Sequence, residues 1–193
     1  MAFTPFITTF YGREPSGVVA QANQFILDQS QPDANGQGNA CHTYLTASAI
    51  TANPHIIYSF AVYTYGQQDA NTLYTPEFAA YESDSLSGLT DTVNALTADG
   101  TWLLQAFQGV SQSGSASYFA MLAHDDSMGI QEWTLGCARS QADADAAVNA
   151  IIATGAGVNG IMVTGYSSGG ILTCPPFVLA GRVLYPYAVA LRS

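Results

Sequence analysis

Val93-Asn94-Ala95-Leu96 returns almost unchanged as Val148-Asn149-Ala150-Ile151, and a fainter version, Ala22-Asn23-Gln24-Phe25, stands near the start of the chain. Sixteen residues before each asparagine comes a large apolar residue in a strand-like run: Ile7, Phe78 and Trp133. The apolar positions between also coincide. Val18, Ala22 and Phe25 match Leu89, Val93 and Leu96, and then Ala144, Val148 and Ile151, each set at helical spacing. A fixed offset reproduced three times marks a triplicated supersecondary unit.

Working outward, each copy predicts the same elements. In the first, residues 3–11 are rich in Phe, Ile and Thr and form a strand. Pro15 suits the first turn of a helix over residues 16–29. A turn-rich loop at 33–38 leads to strands at 41–50 and 56–65, joined around Asn53-Pro54. The second of these alternates Tyr58, Phe60, Val62 and Thr64 against Ile57, Ser59, Ala61, Tyr63 and Tyr65. Large side chains on both faces mean that it is covered on both sides or lies at an interface.

After a loop at 66–75, the second copy has a strand at 77–82, a helix within 85–98 and Gly100 as a left-handed stop. Strands at 102–107 and 118–123 follow, around a loop at 111–117. The third copy has a strand at 132–138, and Ser140-Gln141-Ala142-Asp143 is a capping-box signature for its helix. Gly155 and Gly157 end that helix. Strands at 161–164 and 177–184 close the unit, with a short last strand at 187–191. The expected fold is α+β: three tandem βαββ modules with mainly antiparallel sheets and one amphipathic helix packed on each. The modules span residues 1–66, 75–126 and 130–193, as separate units or fused in one domain. A unit of about 50 residues is marginal alone, and three together can bury one another's bare sheet faces.

The segment 89–107, with Val93-Asn94-Ala95-Leu96 followed by Asp99-Gly100-Thr101-Trp102-Leu103-Leu104, resembles the small βαββ proteins of the DUF4177 type. Their pattern is a helix with an Asn-containing apolar stretch, a Gly-Trp turn and a strand. Here Thr101 separates the glycine from the tryptophan, and the third copy has Gly157-Val158 instead. The resemblance implies the βαββ fold and, since that family has no assigned function, no site.

Charge narrows the function classes. Charged residues are 9% of the chain, against about 25% in a typical soluble domain. Lysine is absent, and the basic residues are Arg13, Arg139, Arg182 and Arg192. With a net charge of −10 and no basic cluster, nucleic acid is excluded as a partner, because phosphate binding needs clustered cations. The same charge disfavours an anionic membrane surface. No apolar run approaches a membrane helix, and residues 1–11 lack the basic start of a signal peptide. A soluble, unprocessed, cytoplasmic or virion-associated chain is expected. Cys41, Cys137 and Cys174 show no metal-ligand spacing, and three reduced thiols are expected over one disulfide and a free thiol.

No motif completes a catalytic centre. Gly165-Tyr166-Ser167-Ser168-Gly169 fits the nucleophile-elbow pattern after an apolar strand. However, Cys174-Pro175-Pro176 stands where a helix should begin, and no Asp, Glu or His follows Ser167. Gly155-Ala156-Gly157-Val158-Asn159-Gly160 fits a dinucleotide loop but leaves a helix for a strand, the wrong polarity. Cys41 and His42 are strand neighbours that point to opposite faces. His124-Asp125-Asp126 and His55 read as turn and loop residues. No cofactor and no metal site is expected.

The eleven tyrosines are the remaining signal. Tyr58, Tyr63, Tyr65, Tyr118 and Tyr166 are the candidate ligand or interface residues. Tyrosine offers area, rigidity and a polar tip to an interface, and it also suits ordinary sheet packing. The leading expectation is a non-enzymatic structural or interaction protein that self-associates as a homo-oligomer, as a particle, virion or filament subunit. The alternative is a small-molecule binder with a Tyr-lined pocket between modules. An enzyme using His124 with Asp125 or Asp126, or a hydrolase using Ser167, comes third.

Overall fold

Among the described residues, three helices each cross between two parallel strands, and a third strand returns between them. The computed structural model describes residues 3–52, 55–112, 114–125, 131–154, 158–163, 166–167 and 175–192. Module 1 runs β1 (Phe6–Gly12), α1 (Pro15–Ser30), β2 (Gln37–Ala52) and β3 (His55–Asp69). Its sheet order is β1-β3-β2, with both outer strands antiparallel to β3. β1 and β2 are therefore parallel, which a tight turn cannot join, and the helix supplies the crossover. Module 2 repeats this with β4 (Phe78–Ser83), α2 (Leu86–Thr97), β5 (Trp102–Gln112) and β6 (Ser115–His124), in order β4-β6-β5. Module 3 has β7 (Gln131–Ala138), α3 (Gln141–Ile152), β8 (Val158–Val163), β9 (Tyr166–Ser167), β10 (Phe177–Leu179) and β11 (Arg182–Arg192). There β11 is central, paired with β7 and β8, while β9 and β10 widen the sheet to five strands. The expected α+β fold of three modules is the one observed.

Local chemistry sets the ends of these elements. Pro15 opens α1 at its first turn. Ser85 Oγ accepts from Gly88 N–H, and Ser140 Oγ accepts from Asp143 N–H, so both later helices have side-chain caps. The Ser140 hydroxyl also donates to the Asp143 carboxylate at 2.8 Å. Gly100 has φ 77°, as its stop position requires. Asp33 Oδ1 accepts from the N–H groups of Asn35 (2.7 Å) and Gln37 (3.0 Å), and this turn leads directly into β2.

Two expectations need correction. Residues 177–184 are not one strand, because Ala180 and Gly181 take φ values of 49° and 76° and fold β10 back on β11. Two successive positive φ angles are what a two-residue hairpin turn demands, and an Ala-Gly pair announces it less clearly than Asn-Gly. The separate strand at 187–191 is the remainder of β11. The loop expected at 111–117 also shrinks, since β5 and β6 stay paired to Gln112 and Ser115, with Gly114 at φ 85° in the turn.

The modules do not keep private cores. One cluster joins Val18, Ala22, Ile26, Tyr58, Phe60 and Val62 of module 1 to Phe78, Ala80, Phe119 and Met121 of module 2. A second joins Leu89, Val93, Leu104 and Leu122 of module 2 to Trp133, Leu135, Ala188 and Ala190 of module 3. The third cluster is small: Val148 and Val189 with half-buried neighbours such as Ile151 and Tyr187. Each seam is the apolar side of one module laid on the strand face of the next, and among the described residues no such face lies on module 3.

Candidate functional site

The repeated asparagine is the hinge of each seam. Asn23 Nδ2 donates to the Phe78 carbonyl at 2.7 Å, and Phe78 N–H donates to Asn23 Oδ1 at 3.0 Å. Asn94 does the same to Trp133, at 2.9 Å and 2.6 Å. A carboxamide is a peptide group in miniature, with one acceptor and a donor side by side. It pairs with the outward N–H and C=O of an edge strand as another strand would, and so blunts that edge. Thr97 adds to the second seam by donating its hydroxyl to the Gln131 carbonyl at 3.0 Å. Around the clamps, the Phe60 and Phe78 rings meet edge-on at 5.2 Å, and Tyr58 lies 5.3 Å from Phe119. At the second seam the Phe177 ring occupies the space where a side chain at Gly109 would stand.

The third copy of the asparagine is different. Asn149 lies on α3 in the corresponding place but is exposed, and its carboxamide bonds to none of the described residues. The matching strand position, Ile7, is 62% exposed. β1 pairs only with β3, so its outer edge carries no strand among the described residues. Alternation along β1 turns Phe6 and Phe10 to the Phe25 ring on α1 and turns Ile7, Thr9 and Tyr11 to the opposite face. Phe78 and Ala80 hold the corresponding face of β4 and are buried, whereas Tyr11 is 65% exposed.

The candidate tyrosines separate cleanly. Tyr58 is 1% exposed and donates its hydroxyl to the Glu82 carboxylate across the first seam. Burial, with that carboxylate beside it, holds its ionisation far above the usual phenol range. It is a core residue and is not available to a partner chain. Tyr63 and Tyr65 lie on the other face of β3, stacked at 6.2 Å, and His42 stacks on Tyr65 at 4.9 Å. Tyr118 is half-buried against Phe177, with its hydroxyl pKa raised by burial first and by Cys137 second. The side chain of Tyr166 lies outside the described residues.

A polar cleft of about 450 Å³ opens at the first seam, lined by Arg13, His55, Glu82, Asp84 and Ser117 among others. Sequence reasoning missed it, because its residues come from four separate stretches with no motif. Chemistry elsewhere is sparse. Tyr166–Ser167 is a strand paired to β8, so Ser167 sits in a strand pairing and its side chain lies outside the described residues. Cys41 and Cys137 are free thiols, both with pKa raised by burial, Cys137 to about 12. Cys41 contacts Thr64 at 3.5 Å, while His42 faces the other way. His124 meets the Trp102 ring edge-on, and Asp126 lies outside the described residues. Among the described residues, no group of three His, Cys, Asp or Glu side chains is placed to hold a metal, and no helix is long and apolar enough to cross a membrane. No family model, curated protein or solved structure matches the chain.

Proposed function

We propose that the protein is a non-enzymatic structural or interaction protein that self-associates, serving as a subunit of a particle, virion or filament. The observation that carries this reading is the bare face of module 1. Its edge strand presents Ile7 and Tyr11 at 62% and 65% exposure, and Tyr63, Tyr65 and His42 stack on the strands beside it. Contiguous exposed apolar and aromatic surface marks an interaction site. Light scattering after size exclusion, over a range of concentrations, tests the reading. A mass above the 20.3 kDa of one chain is expected, and a constant single-chain mass at the highest concentration would remove it.

The polar cleft favours a second reading, a small-molecule binder. Arg13 is the cation in it, beside Glu82 and Asp84. The lining is polar rather than the tyrosine wall expected from sequence, with the Tyr58 hydroxyl meeting Glu82 and Ser117. Native mass spectrometry of the purified chain would reveal a carried-over ligand, and its loss in Arg13→Ala would place that ligand in the cleft.

A further inference from the structure

From the two seams inside the chain we infer that the third is made between copies. Asn149 on α3 of one chain clamps the backbone of Ile7 on β1 of the next, in a head-to-tail contact that rests on the self-association reading above. The occupant of the bare β1 face is therefore α3 of a second copy.

The argument is continuity with an interface that the molecule already forms twice. In both seams the helix asparagine reaches the strand residue that begins the matching run in the following module. Each of the three strand residues pairs with the central strand of its own module: Phe78 with Ala123, Trp133 with Ala190 and Ile7 with Tyr63. The N–H and C=O of Phe78 and Trp133 go to a carboxamide, and Ile7, at the same offset from its asparagine, lies on a β1 edge that carries no strand among the described residues. The two halves that meet no such partner among the described residues are complementary because they are copies of complementary halves. A helix that buries only Ala144 and Val148 ends one side, and a strand with an exposed Ile-Thr-Tyr face ends the other.

Such a contact joins unlike surfaces, so it builds a ring or an open filament according to the rotation between modules. A two-fold dimer through paired β1 edges is the competing arrangement. One residue works against the proposed contact. Asp145 stands where α1 has the buried Val19 and α2 has the half-buried Thr90, and its carboxylate accepts from Gln141 at 3.0 Å. A carboxylate on this face weakens the contact, which makes Asp145→Val a variant expected to associate more tightly.

The test uses full-length chains and light scattering. Asn149→Ala is expected to weaken association about thirtyfold, the factor that about 2 kcal/mol gives, and Ile7→Pro to abolish it. In the proposed contact the Ile7 N–H faces the incoming carboxamide, and proline, which an edge strand tolerates, removes it. If Ile7→Pro fails to fold by circular dichroism, Ile7→Asp on the same face replaces it, and Asn149→Ala and Asp145→Val stand independently on an exposed helix surface. The decisive measurement mixes the two weakened chains. At a concentration between the wild-type and Asn149→Ala dissociation constants each alone should be a single chain, and an equimolar mixture should give a pair and nothing larger, because one intact α3 meets one intact β1. A wild type that associates while Asn149→Ala assembles equally well overturns the head-to-tail contact and leaves self-association standing. A mixture that stays unpaired also overturns it. A wild type that remains a single chain at the highest concentration overturns both.

Discussion

Replacing Asn94 by alanine isolates the energetic role of the clamp within one chain. The substitution removes a carboxamide that holds both outward backbone groups of Trp133, a residue only 1% exposed. Leaving a buried donor or acceptor unpaired costs about 1–3 kcal/mol each. Asn94 itself is half-buried, so water reaches part of the gap. The loss expected for the two groups together is about 3 kcal/mol, or roughly 6–12 °C in melting temperature for a chain of this size. Asn149→Ala, measured at a concentration where the chain is alone, is the control. That side chain bonds nothing described, and its change should stay within about 0.5 kcal/mol, as at an ordinary surface site. Asn94→Asp separates hydrogen bonding from shape. The new carboxylate still accepts from Trp133 N–H but opposes the Trp133 carbonyl. Its folded-state pKa is thereby raised, so its contribution is recovered below the unfolded value near 4 and lost as pH rises. Urea melts followed by tryptophan fluorescence read all three. Equal midpoints for Asn94→Ala and Asn149→Ala would show that the clamp bonds exchange freely with water.

Four further outcomes follow from the same geometry. Val93→Asp puts an unpaired charge at a position with no exposed surface, at a cost of several kcal/mol; an unchanged circular-dichroism melt would contradict this packing. Gln131→Leu should stabilise the chain by about 1–3 kcal/mol, because both polar atoms of the buried glutamine lack partners among the described residues; a lower melting temperature would refute the orphaned state. With its pKa pushed up to about 12 by burial, Cys137 carries almost no thiolate at pH 8, so iodoacetamide should modify it only on unfolding; rapid labelling of that peptide in the native chain would count against its burial. Amides of α3 should exchange faster than those of α1, which buries Pro15, Val18, Val19, Ala22 and Ile26 against two residues in α3; equal protection in a single chain would refute the small end core.

The repeat was legible in the sequence because the asparagine sits at one offset from a large apolar residue in every module. What the asparagine does was not legible. Its bonds go to the next module, 55 residues on from Asn23 and 39 from Asn94, and the unequal separations hide the pattern from any fixed-period reading. The alternation in β3 correctly placed Tyr58 opposite Tyr63 and Tyr65. It did not show which face was core, because Glu82, which satisfies the Tyr58 hydroxyl, lies 24 residues away. The Ser140 cap and the Gly100 stop were readable, since each acts within one helical turn. The β10–β11 turn was not, because its positive φ falls on an alanine.

The edge of β1 brings topology and composition to the same point. A free strand edge invites pairing with another chain, and proteins usually blunt it with lysine, an inward charge, a bulge or a proline. This chain has no lysine, and Phe6-Ile7-Thr8-Thr9-Phe10-Tyr11 carries neither charge nor proline. β1 pairs with β3 in unbroken register, so no bulge turns it away. The same molecule guards the edges of β4 and β7, and it does so with a helix carboxamide rather than with charge. A chain that solves the edge problem in this way has a third carboxamide of the same design at its far end and a third edge at its near end. The proposed contact sets one against the other and leaves every module edge of this class covered, except at the ends of an open assembly.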